Sequence, residues 1–183
     1  MGLDYQFVVV IKEHSRAALW KYVEEHGEHL DSYIIAHFPM DSFILKYLEG
    51  GYSYAPHYDA EEIQQHIVGD GQARIGGIDI GEHRLEHTEN EVAIAFTAVT
   101  SDMSLLFRDS VSVHRWFIGL SRAADAVMTY LDLEYEGDRL IYYRGNEITI
   151  ELKGEGHLHV GKQKFLEIIE AYANRTEHFD CWS

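Results

Sequence analysis

The chain of 183 residues has one cysteine, Cys181, and two prolines. A lone thiol excludes an internal disulfide framework, and no Cys/His spacing has the form of a zinc finger. A reducing, cytoplasmic setting is therefore expected. Long apolar runs are also missing. The longest, Phe7 to Ile11, is far too short to span a bilayer, and Met1-Gly2-Leu3-Asp4-Tyr5 lacks the basic start of a secretory leader. A soluble protein is expected. Basic residues are scarce, 15 against 31 acidic ones, for a formal net charge of −16. Such a surface repels nucleic acid and anionic membranes.

Catalytic motifs are equally scarce. There is no G-x-S-x-G turn, and Gly69, Gly71, Gly76 and Gly77 are not followed by the helix that a phosphate-binding loop needs. Thr100, Ser101 and Asp102 read as helix caps rather than a nucleophile with its base, although His114 follows a dozen residues on. Cys181 has only His178 beside it to activate it.

What is present is enough apolar sequence, 46%, to build a core. One α+β domain is expected over residues 1–175, with 176–183 as a tail. Tyr5 to Ile11 is apolar on both faces and reads as a central strand. A helix with Ala18, Leu19, Tyr22 and Val23 on one side follows Ser15, and Tyr33 to Phe38 makes a further strand. Asp41 or Ser42 can cap a short helix bearing Phe43, Ile44, Tyr47 and Leu48, and Asp59 with Glu62 forms a capping box. Three strands are expected at Gln72–Ile80, Glu82–Thr88 and Glu91–Val99. The most regular pattern runs from Val113 through Trp116, Phe117, Leu120, Ala124, Val127 and Leu131. It predicts a five-turn helix capped by Ser110 or Ser112. A last amphipathic helix carries Phe165, Ile168, Ile169, Tyr172 and Ala173.

The sum is a mostly antiparallel sheet of about seven or eight strands with two longer amphipathic helices packed on it. The order of elements suggests two pseudo-repeated halves, which no residue-level repeat supports. Register between Leu131 and Val160 follows from keeping one face apolar. A Gly137-Asp138 turn pairs Tyr135 with Leu140, and a three-residue loop Arg144-Gly145-Asn146 puts Ile148, Ile150 and Leu152 on the core face. Glu147, Glu151, His157 and His159 then share the outward face. Two imidazoles with carboxylates fit a divalent transition metal; the bland reading of the same face is a solvated ion-pair cluster, with no cofactor.

Twelve histidines stand in the chain. His26 and His29, around Gly27, read as helix-end residues. His83 and His87 are about 13 Å apart along a strand and cannot share one ion. Tyr52, Tyr54 and Tyr58 sit in a loop with Gly51 and Pro56, the composition of a recognition loop or of one folded over the sheet.

No motif fixes the function. The charge and the tyrosines favour a non-enzymatic interaction protein, an inhibitor or immunity-type molecule that binds a basic protein partner. The alternatives are a small-molecule-binding domain with a cleft between two lobes, and a metal-dependent enzyme. No nucleic acid or membrane is expected as partner.

Overall fold

The computed structural model describes residues 2–52, 58–85 and 88–153. Its fold is α+β, built on one antiparallel sheet. The strands are β1 (Gln6–Lys12), β2 (Gly27–His29), β3 (Tyr33–Pro39), β4 (Ile67–Val68), β5 (Gln72–Arg84), β6 (Glu91–Thr97), β7 (Met128–Asp132), β8 (Gly137–Tyr143) and β9 (Asn146–Lys153). Their order across the sheet is β2-β3-β5-β6-β1-β7-β8-β9, with β4 paired to β5. The helices are α1 (Arg16–Glu25), α2 (Ser42–Leu48), α3 (Ala60–Gln65), α4 (Ser101–Asp109) and α5 (Val111–Ala123). None of the described helices is long and apolar enough to cross a membrane.

β1 lies between β6 and β7, and its apolar side chains are buried on both faces, as the absence of a polar face requires. Phe7, Val9 and Ile11 pack with helix residues Leu19, Val23, Leu106, Phe107, Val113, Phe117 and Leu120. Phe117 stacks on Phe7 with ring centroids 4.0 Å apart. Val8 and Val10 point to the other face, where they meet Ala93, Ala95, Met128, Tyr130, Leu140 and Ile150.

Local signals set several boundaries as expected. Asp41 accepts from the backbone N–H of Phe43 and Ile44 at the start of α2, and Asp59 with Glu62 forms the capping box of α3. Thr100 and Ser110 cap α4 and α5 through the N–H of Met103 and Val113.

Other expectations are corrected. The five-turn helix ends at Ala123. Asp125 takes a left-handed φ of 47°, and Met128–Asp132 is strand β7. Trp116, Phe117, Leu120 and Ala124 are buried as the helical pattern requires, whereas Leu131 reaches the same core from the sheet. α4 begins at the cap read at Thr100, although the sequence pattern assigns no span to the helix that follows it. Gln72–Arg84 is one strand, because Gly81 stays in register opposite Ala95 instead of breaking the pairing.

Both predicted turns shift. Asp138 pairs with Asp132 inside the sheet, and the chain reverses at a 3-10 turn, Glu134–Glu136. Tyr143 pairs with Asn146, leaving a two-residue turn in which Arg144 and Gly145 both have positive φ, 42° and 86°. That is the backbone of a type I′ hairpin turn, whose twist suits the strands. A register shift between Leu140 and Tyr142 then brings Ile150 opposite Leu140, so Ile148, Ile150 and Leu152 still share one apolar face.

Candidate functional site

Polar side chains concentrate where α4 gives way to α5. The end of α4 leaves backbone carbonyls without helical partners, and side chains supply the donors. His114 places Nε2 2.8 Å from the Phe107 carbonyl oxygen, so that nitrogen carries the proton. Arg139 donates Nη1 to the Arg108 carbonyl at 2.7 Å and Nε to Glu151 at 2.9 Å. Arg108 pairs with Asp109 at 2.8 Å, and Tyr52 donates its phenolic O–H to the same carboxylate at 2.9 Å. Asp41 ties α2 to α5 by accepting from Ser110 Oγ at 2.6 Å and from the Ser112 N–H at 3.1 Å.

These contacts shift the titrations. Burial pushes the His114 pKa below its ordinary value despite the bond to Phe107, and the neighbouring Arg139 adds to the effect. Burial acts against ionisation of Asp109 and Asp41, but the bonds each accepts outweigh it and hold both carboxyls below the usual range. Tyr52 is raised by burial and by the Asp109 carboxylate it faces. The bonds named here run between elements of the protein itself, so the cluster caps and joins helices.

Tyr52 is 5% exposed, with its ring beneath Lys46 Nζ at 4.2 Å. Tyr58 is half-buried, tilted against His66 at 4.8 Å. Tyr54 lies outside the described residues. Glu147 and Glu151 are exposed on β9 and each meets an arginine, Arg122 at 3.1 Å and Arg139 at 2.9 Å. Their expected companions His157 and His159 lie outside the described residues, as do His87 and Cys181. Among the described residues no group of three His, Cys, Asp or Glu side chains converges in a way that could hold a metal ion.

His26 is the C-cap of α1, with Nδ1 3.0 Å from the Tyr22 carbonyl, in keeping with its reading as a helix-end residue. A cleft of about 550 Å³ opens between the end of β1 and the loop into β6, lined by Lys12, Glu13, His14, Thr88, Glu89, Asn90 and Glu91. It carries both signs of charge.

The sheet edge at β2 and β3 differs from all of these. Leu30 donates its N–H to the Tyr33 carbonyl and so closes a tight turn. On one side of this tip, His29 stacks on Trp20 with ring centroids 4.1 Å apart. On the other, the Tyr33 ring lies over Gly77, where any side chain would collide: an added Cβ would come within 2.7 Å of Tyr33 Cδ2. Leu30 and Tyr33 are each 37% exposed. Exposed Asp31 lies in the turn, and exposed Asp79 is the register partner of Tyr33. Neither takes part in an ion pair among the described residues, whereas nearby Glu28 is held by Arg74 at 2.7 Å. Rigid aromatic anchors inside a ring of charge are the composition of a recognition surface. The sequence gives little sign of it, because Trp20, His29, Tyr33 and Asp79 come from four elements, α1, β2, β3 and β5, and Leu30 from the turn between β2 and β3.

Comparison with protein families, with curated proteins and with solved structures finds no match to this chain.

Proposed function

We propose that this protein is a non-enzymatic acidic interaction protein, of the inhibitor or immunity type, that binds a basic protein partner through the β2–β3 tip. The observation that carries this reading is the pairing of exposed Leu30 and Tyr33 with the carboxylates of Asp31 and Asp79. A hydrophobic contact needs a charge pattern around it to select its partner, and here that pattern is negative. The arginines Arg16, Arg74, Arg108, Arg122 and Arg139 are all engaged with carboxylates of the same molecule. The excess of 31 acidic over 15 basic residues therefore falls on side chains such as these.

The test is capture of partners by the native protein at low salt, with identification by mass spectrometry and repetition in high salt. The reading expects basic proteins that are lost as salt rises, because screening shortens the range of the attraction. Recovery of acidic proteins alone, or of partners retained equally in both buffers, contradicts it.

A further inference from the structure

The two faces of the sheet are covered differently. Every described helix that contributes buried side chains does so to the core beneath Phe7, Val9 and Ile11. On the opposite face Val8, Val10, Ala93, Ala95, Met128, Tyr130, Leu140 and Ile150 form a continuous apolar strip across five neighbouring strands, β6-β1-β7-β8-β9. All the described members of that cluster come from strands or from Leu85 just beyond β5. Yet Val10 is 1% exposed, Leu140 0% and Tyr130 5%. Side chains standing on a sheet keep water contact unless another layer lies on them.

We propose that this layer is the chain's own C-terminal segment, 154–183, with Phe165, Ile168, Ile169, Tyr172 and Ala173 seated on the strip. Their spacing of i, i+3, i+4, i+7 and i+8 makes one apolar stripe on a helix, with Glu167, Glu170 and Asn174 away from its centre. From Phe165 to Ala173 such a helix is about 13 Å long, at 1.5 Å per residue. The strip is about 19 Å wide, four strand spacings of about 4.8 Å. The segment also starts in the right place. β9 is the last strand of the described sheet, and its final residue, Lys153, pairs with Gly137 beside the strip's margin. The other undescribed stretches, 1, 53–57 and 86–87, are too short to cover five strands.

Charge complements shape at that margin. Asp132 and Asp138 are register partners on this face, 5% and 7% exposed, and Gln6 Nε2 donates to Asp132 at 3.2 Å. The segment brings Lys162, Lys164 and Arg175.

The test keeps the full chain. In a Cys181→Ser background, Glu167→Cys carries a nitroxide label on the polar side of the segment, so the label leaves the apolar stripe intact. Amide signals of Val8, Val10, Met128, Tyr130 and Leu140 are then expected to be broadened, while those of Leu19, Ile44 and Leu106 beneath the opposite face keep their intensity. A mixture of labelled chain without isotope and isotope-labelled chain without nitroxide should show no broadening. Broadening in the mixture assigns the strip to a second copy and overturns the proposal. So does a labelled chain in which the strip's signals are unchanged.

Discussion

Carboxylates at the two edges of the sheet are in different states. At the β8–β9 edge Glu147, Glu151 and, below them, Asp109 each meet an arginine of the same chain, and even the loose carbonyls of α4 are claimed by His114 and Arg139. At the β2–β3 edge Glu28 is held by Arg74, but Asp31 and Asp79 stand exposed beside Leu30 and Tyr33. The first edge uses charge to hold elements together. The second displays charge. A net charge of −16 says nothing by itself about where the excess lies, and the structure separates carboxylates already engaged inside the molecule from those open to a partner.

The largest effect that would sharpen this contrast is expected at the first edge. Arg139→Ala removes the donor to the Arg108 carbonyl and the partner of Glu151 together. A loss of about 1.5–3 kcal/mol is expected, the range for hydrogen bonds to charged groups, read from denaturant unfolding. A change below about 0.5 kcal/mol would show that the arginine is ornamental and that both edges are alike.

Asp41→Ala comes next. It deletes the N-cap of α2 and the acceptor for Ser110 and Ser112, and a cost of about 1–2 kcal/mol is expected from the same measurement.

A pH titration of stability adds a signature of His114. His114 has its pKa lowered by burial, so the unfolded chain binds the proton more readily than the folded one. Its contribution is present above the unfolded value of about 6.5 and is lost as pH falls through the lower folded value. Asp109 and Asp41 are also lowered in the folded state, so their contribution is present above about pH 4 and disappears with further acidification. Stability is expected to fall in two steps, and His114→Gln should remove the first without touching the second. A first step that survives the substitution assigns it to another group.

The smallest expected effect on stability belongs to the second edge. Asp31→Asn with Asp79→Asn should change the unfolding free energy by no more than about 0.5 kcal/mol, because both side chains are exposed and neither forms an ion pair among the described residues. A large destabilisation would make the tip structural and erase the distinction.

The sequence was legible where one local signal had one meaning. Phe7 to Ile11 has no polar face and became the central strand, and Asp41, Asp59, Thr100 and Ser110 cap helices through their own short side chains. It misled where two periods coincide. Val127, Met128 and Leu131 continue the spacing of α5, yet a strand buried on both faces carries no alternation to contradict a helix. The break at Asp125 depends on a positive φ at a residue other than glycine, which composition does not announce. Arg144 does the same in the β8–β9 turn and moved the predicted loop by one residue.

Little of the candidate site was legible. Tyr52 reads as a loop aromatic available to a partner, but its hydroxyl turns inward to Asp109, fifty-seven residues away in the chain. The tip at Leu30 and Tyr33 exists only once α1, the β2–β3 turn and β5 are brought together.

The central claim is that the charge at the β2–β3 tip steers a basic partner. Its most direct test is the association rate of that partner, followed by stopped-flow fluorescence over a series of ionic strengths, for the native chain and for the Asp31→Asn, Asp79→Asn variant. The native rate is expected to fall steeply as salt is added, and the variant to start lower and fall less, with both converging once the Debye length drops to about 3 Å near 1 M salt. Identical rates for the two chains at low salt, or a native rate that ignores salt, would contradict the account.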